Sequence, residues 1–299
     1  MVLHQDTAHA KINLFLHVTG RRDDGYHLLD SLAIFAGAGD ELSLSAAPSS
    51  QKNESLILQG PFSKGLEADD NNLVLRAATA LRAHHGGDKE ALPAALLQLD
   101  KYLPIASGIG GGSADAACAL RLLTRYWGLS SEAAVAIAPT LGADVPVCLQ
   151  QKATRMEGIG EILTTAPALP KMGIMLVNPG VSVSTPTIFK RLAATGGPRA
   201  RAALSFPTEG WPTIDALVTF LNGTENDLQP HAIAQEPIIA TVLEHLAQLP
   251  QVRFNRMSGS GATCFALFDT PHAAQEAARH LTQHPVAKTW WCWAGAVLA

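Results

Sequence analysis

The chain has 299 residues, of which 47% are hydrophobic and 16% charged, with a formal net charge of −4; an average soluble domain carries roughly 25% charged residues. So apolar a chain has ample material for a core, which excludes disorder as its main state, and its faint acidity speaks against a nucleic-acid partner, which would meet a basic face. At about 150 residues per domain the length suggests one large domain or two modest ones.

Four cysteines, Cys118, Cys148, Cys264 and Cys292, lie far apart with no C-x-x-C pair. They read as reduced thiols rather than a disulfide frame or zinc site. The opening MVLHQDTAHAKINLFLH lacks the basic stretch and long apolar run of a secretory signal. No run reaches the 18 or so apolar residues that span a bilayer. The expectation is a cytoplasmic protein with no membrane partner.

In chain order, Lys11 to Val18 places Ile12, Leu14, Leu16 and Val18 at alternate positions, the pattern of a half-buried strand with Phe15 as the exception. Asp24-Gly25 suits a turn with positive φ. Separate strands are expected at Ser31 to Phe35, Glu41 to Ser45 and Ser55 to Leu58. From Asn72 the pattern becomes helical, and Asp70, Asn71 and Asn72 offer N-caps. Ala94 to Leu99 reads as a buried strand. A glycine loop then opens a helix that ends near Gly128. A second helix, Ser131 to Ala138, is capped by Ser130 or Ser131 and stopped by Pro139.

Thr154 to Leu163 reads as a hairpin around EGIGE, and Pro167 and Pro170 mark a domain boundary near residue 166. Beyond it come a strand at Gly173 to Val177 and helices at Thr187 to Ala194, Ile214 to Leu221 and Ile238 to Gln248. Strands at Arg253 to Met257, Thr263 to Phe268 and Trp290 to Val297 follow. The mixture is α+β, with no internal repeat.

The strongest local signal is Pro104-Ile105-Ala106-Ser107-Gly108-Ile109-Gly110-Gly111-Gly112-Ser113-Ala114. Clustered glycines let a backbone approach a ligand closely, and the amides of the next helix's first turn lack internal partners, which makes an anion site. The plain alternative is a tight turn between strand and helix. No lysine follows the glycines, so this is not a Walker A loop. Ser113 stands where a dinucleotide fingerprint needs its third glycine, which weakens that rival without removing it.

Two further segments, AKINLFLHVTGRRDDGYH from Ala10 to His27 and the small-residue loop Met257 to Ala262, flank this one, with Leu141-Gly-Ala-Asp-Val-Pro146 between. Together, in this order, they resemble the GHMP kinases (galacto-, homoserine, mevalonate and phosphomevalonate kinases). The likeness runs from about Ala10 to Phe268, and the N-terminal segment and the NPGVSVSTPTIF stretch point to members acting on a cytidyl diphosphate sugar alcohol.

The resemblance implies an α+β two-domain fold: an ATP-binding α/β domain over 1–166 and a ferredoxin-like substrate domain over 167–299. It implies ATP and Mg²⁺ as cofactors, and a monomer or homodimer. It makes Asp144 the catalytic acid, Lys11 the catalytic lysine, and residues 104–114 the ATP loop, bordered by Lys101 and Asn72. Asn13, Tyr26, His27, Thr185 and Phe189 fall at substrate positions. Taken singly, Lys11 reads better as an exposed strand lysine and Asp144 as a loop carboxylate with a cap role; Asn72 reads equally as an N-cap, and the plain alternative for Phe189 is a core residue on a helix. Ile109 and Ala114 depart from the leucine and second serine common in the family's loop. Rivals are another GHMP kinase, a dinucleotide-dependent oxidoreductase, or an inactive binding module.

Two apparent signals are set aside. His280 and His284 have metal-ligand spacing, but a helix end favouring histidine explains them. The Trp290-Trp291-Cys292-Trp293 cluster suits an edge strand with one packed face.

Overall fold

A computed structural model describes residues 1–48, 50–51, 53–86, 92–198 and 201–298. In chain order its elements are β1 (Val2–Arg21), β2 (His27–Ala46), β3 (Ser55–Gln59), α1 (Leu73–His85), β4 (Ala95–Asp100), α2 (Gly111–Tyr126), α3 (Ser131–Leu141) and α4 (Val145–Gln150). There follow β5 (Thr154–Gly158), β6 (Ile162–Thr165), β7 (Gly173–Asn178), α5 (Thr185–Ala194), α6 (Ile214–Asn222), α7 (Gln229–Gln235) and α8 (Ile238–Ala247). Last come β8 (Phe254–Met257), β9 (Cys264–Phe268), α9 (Pro271–Thr282) and β10 (Trp291–Ala296). Among the described residues no helix is long and apolar enough to cross a membrane, and all four cysteines are free.

Two compact units emerge, each discontinuous in sequence. The first comprises Met1–Ala10, Gly39–Ile105 and Gly110–Gln151; the second comprises Lys11–Ala38, Ala106–Ile109 and Lys152–Ala299. The chain interleaves because β1 and β2 are twenty-residue strands, each contributing to both units.

The expected pair of short strands at 31–35 and 41–45 is thus one continuous strand. Gly39, between the two expected strands, serves close approach: a Cβ there would stand 2.5 Å from Thr7 Cγ2 and 2.9 Å from the Ala8 carbonyl oxygen. Residues 11–18 are buried on both faces rather than one; on the second face Asn13 Nδ2 donates to Ser31 Oγ and His17 Nε2 accepts from Glu225 N–H.

In the first unit β4 pairs antiparallel with β2 (Glu41 opposite Asp100) and parallel with β3 (Ser55 opposite Leu96), with α1 as the crossover. Helix α2 packs against α1, α3 and α4. Its alanines Ala114, Ala116, Ala117 and Ala119 are buried; small side chains let the helices approach while keeping high helix propensity. Ser130 caps α3 by accepting from Glu132 N–H at 3.2 Å. Pro139 does not stop that helix but lies inside it, within its last turn, where the missing N–H removes a single bond.

In the second unit β5 pairs with β2 and turns back as β6, the expected hairpin. The other sheet has the order β10-β7-β9-β8, antiparallel throughout. With α5 to α8 after β7 and α9 after β9, this is the ferredoxin-like βαββαβ arrangement. All six residues of β7 are buried, and Val177, Ile188, Val242, Phe268 and Leu281 join one core cluster. Strand β10 is an edge, as the tryptophan cluster suggested. His284 caps the short turn after α9, accepting from Val286 N–H.

Candidate active site

In the second unit, β1 carries the first site residues on its polar face. The Lys11 N–H donates to the Ile109 carbonyl at 3.0 Å, and its side chain is buried. Asn13 N–H donates to Ser258 Oγ at 3.1 Å and its Nδ2 to Ser31 Oγ at 2.7 Å. The Asn13 Oδ1 is buried with no partner. A buried amide oxygen left unpaired is costly, so it marks a place where a ligand's hydroxyl or N–H would be welcome.

Past β1, the Gly25 turn forms as expected, with Arg22 N–H donating to the Tyr26 carbonyl at 2.8 Å. Tyr26 is 61% exposed. The His27 ring stacks on Phe189 with centroids 4.7 Å apart and planes 23° apart. Its Nε2 is buried without a partner. Burial, then the nearby Arg21, hold His27 below the usual histidine pKa, so the ring is neutral at pH 7 and offers one donor and one acceptor. Phe189 also packs on the core cluster. Thr185 Oγ1 is hydrogen-bonded to Ser260 Oγ at 2.7 Å.

Residues 106–109 of the glycine loop interlock with the loop after β8. Ser258 Oγ donates to the Gly108 carbonyl at 3.0 Å, and Thr263 N–H donates to the Ser107 carbonyl at 3.0 Å. Asn226 Nδ2 braces the same loop through the Met257 and Gly259 carbonyls, both at 2.8 Å.

In the first unit, Gly110 begins α2 with φ 67° and no side-chain cap. The Ala114 N–H to Gly110 carbonyl bond, 2.8 Å, opens the helix ladder, leaving the preceding amides for a ligand or water. Asn72 caps α1: its Oδ1 accepts from Val74 N–H and its Nδ2 donates to the Glu67 carbonyl, both at 3.0 Å. Asp144 stands at the N-cap position of α4 but makes no side-chain capping bond; the helix itself was not expected.

Lys101 is turned inward, its ammonium donating to Asp40 and to Asp115 Oδ2 at 2.7 Å. Burial would lower its pKa, but the two carboxylates outweigh that and raise it. Burial pushes Asp115 up to about 7, with Lys101 pulling down and Asp40 pushing up. An unfolded aspartate titrates near 3.9. Between about pH 4 and 7 the unfolded chain therefore releases a proton that folded Asp115 retains, and this group's contribution to stability falls as pH rises.

Asp115→Asn removes that titration. Relative to wild type, its unfolding free energy shifts in the variant's favour across this window, by at most about 1.4 kcal/mol per pH unit. Urea denaturation at a series of pH values measures it; a constant difference would place the titration elsewhere.

Asp40, Asp115, Ser31 and Asn226 were not singled out from the sequence, and Ser258 only as part of the small-residue loop Met257 to Ala262. Asp115 carried a signal, a lone acid within the alanine-rich run Ser113-Ala-Asp-Ala-Ala117 of a helix. The others look like ordinary strand and loop residues.

Models of the GHMP kinases N terminal domain and the GHMP kinases C terminal domain match residues 72–152 and 206–287. The chain is 52% identical over 298 residues to 4-diphosphocytidyl-2-C-methyl-D-erythritol kinase of Gluconacetobacter diazotrophicus, covering 98% of this chain and 94% of that one. It is 50% identical over 299 residues to the kinase of that name from Granulibacter bethesdensis, covering 99% and 95%. The crystal structure of a 4-(cytidine 5'-diphospho)-2C-methyl-D-erythritol kinase superimposes with a TM-score of 0.76 at 29% identity, over 99% of this chain and 100% of that one. Homoserine kinase from Cytophaga hutchinsonii shares the fold, with a TM-score of 0.68 at 16% identity over 99% and 94%. With both family domains matched in order and relatives of this identity spanning nearly its whole length, the chain belongs to the GHMP kinase family.

Proposed function

We propose that the chain transfers the γ-phosphoryl group of ATP to the 2-hydroxyl of 4-diphosphocytidyl-2-C-methyl-D-erythritol, in the non-mevalonate route to isoprenoid precursors. What carries the choice of acceptor is the identity of about half, over nearly full length, with relatives bearing that kinase's name.

In this reading residues 104–114 hold the triphosphate on backbone N–H groups, Ser113 adds a hydroxyl, and Asn72 and Lys101 border the nucleotide. Asp144 takes the proton of the acceptor hydroxyl as the phosphoryl group transfers. The Lys11 ammonium offsets the negative charge that develops. Phosphoryl transfer asks chiefly for positioning and charge neutralisation, which these groups supply. Asn13 and Thr185 orient the sugar alcohol. Tyr26 and Phe189 offer aromatic faces to the cytosine, and the unpartnered His27 Nε2 suits its polar edge. Residues 1–166 thus serve ATP and 167–299 the acceptor as functional segments, although Asn13, Tyr26 and His27 cross that division.

Among the described residues no three His, Cys, Asp or Glu side chains gather to hold a metal ion. In this reading Mg²⁺ would arrive on the nucleotide, since this ion commonly binds through substrate phosphates with few protein ligands. Ser113 is the oxygen donor the loop offers it, and the bound ion would neutralise phosphate charge. We place the enzyme in the cytoplasm, as a monomer or homodimer, with no nucleic-acid partner.

Coupled ADP release with the cytidyl substrate, homoserine and mevalonate tests the assignment. Turnover is expected with the first alone; turnover with another acceptor and none with the cytidyl substrate would replace it.

A further inference from the structure

The buried cluster around Lys101 ties together three pieces of the first unit. Asp40, wholly buried, shares Lys101 with Asp115. Its other oxygen, Oδ1, accepts from the N–H groups of Tyr102 at 2.6 Å and Leu103 at 2.8 Å. Asp115 lies on α2. Gly111, the first residue of that helix, faces the cluster: a Cβ there would stand 3.7 Å from Lys101 Nζ and 3.9 Å from Asp40 Oδ2.

A lone cation is disfavoured at the positive end of a helix, so the carboxylates are what allow the ammonium to sit there. Buried ion clusters are also weak sources of net stability, because desolvation opposes the attraction. What this cluster does supply is geometry. Strand β2, the segment leaving β4 and the first turns of α2 are fixed to one charged centre.

We propose that Asp40 and Asp115 are positioning residues of the nucleotide site, acting through Lys101 to hold the start of α2 so that its backbone amides are preset for phosphate. The proposal rests on the ATP-binding reading above. It differs in sign from direct recognition by Lys101. If the ammonium met phosphate itself, each carboxylate would compete with ATP, and removing one would tighten binding. If the cluster is an anchor, removing one loosens it.

Steady-state kinetics of Asp115→Ala and Asp115→Asn, with calorimetric titration of ADP, separate the two. Asp115→Ala is expected to raise KM for ATP about tenfold, as small misplacements of a binding element do. The kcat at saturating ATP and the KM for the acceptor stay within about twofold. Asp115→Asn retains an oxygen for Lys101 and recovers most of the loss. A fall in KM for ATP, no change in it, or an equal loss in both variants would overturn the proposal. If Asp115→Ala does not fold, Asp115→Asn alone decides, with a two- to threefold rise expected and a fall or no change counting against. Wild-type protein that failed to bind ADP would instead refute the ATP reading itself.

Discussion

Asp144→Asn is expected to lower kcat by about 10²- to 10⁴-fold, the usual worth of a positioned general base, while ADP binding stays within a few-fold of wild type. The amide keeps the shape of the carboxylate but cannot accept the proton of the acceptor hydroxyl. Because the Asp144 side chain makes no capping bond to α4, the substitution leaves that helix start intact. Single-turnover ADP formation measures the chemical step and calorimetry measures binding. Wild-type turnover in the variant would remove Asp144 from the proposed role; equal losses of binding and turnover would make it a nucleotide contact.

Gly108→Ala produces the second large effect, and its cause is steric. Gly108 has φ 75°, where a Cβ costs about 1–2 kcal/mol. The added carbon would also stand 2.5 Å from the Ser258 carbonyl oxygen and 2.7 Å from Gly261 N, and overpacking of this kind costs about 1–3 kcal/mol. A loss of about 2–5 kcal/mol in unfolding free energy is expected by urea denaturation, together with loss of kinase activity. Gly112→Ala is the control. Its Cβ would meet Leu73 Cδ1 at an ordinary 3.5 Å, and alanine favours the helix by about 1 kcal/mol, so stability holds or rises. Similar destabilisation in both variants would show that interlocking at Gly108 is not the cause.

These two substitutions mark different depths of legibility. Asp144 could be singled out because it lies in an ordered motif of the family the sequence resembles, which implies an acid at that place. The interlock at Gly108 depends on Ser258 and Gly261, about 150 residues further along the chain, and no local pattern joins them. The caps at Asn72 and Ser130, the hairpin around Gly160 and the edge strand at Trp291 were legible for a local reason. Each is decided by hydrogen bonds or alternation within a few residues.

Pro139 misled for the converse reason. A proline signals helix interruption locally, yet here it falls so near the end of α3 that the helix tolerates it. The strands expected separately at Ser31 to Phe35 and Glu41 to Ser45 are one strand that runs through Gly39. Glycine permits a turn, but it equally permits a neighbouring strand to come close, and only the position of Thr7 and Ala8 separates the two.

The amino-acid sequence alone thus determined the faintly acidic, apolar composition, the order of the motifs, the family they resemble and most of the local elements. A net charge of −4 left the sign of a ligand open, since backbone amides bind phosphate without a basic surface. The tertiary structure decided that two twenty-residue strands divide the chain into interleaved units. It turned Lys101 inward onto Asp40 and Asp115, and it buried Asn13 with one oxygen unpaired. Those outcomes depend on which distant groups meet and on what burial does to charge and hydrogen bonding, neither of which the spacing of residues along a chain encodes.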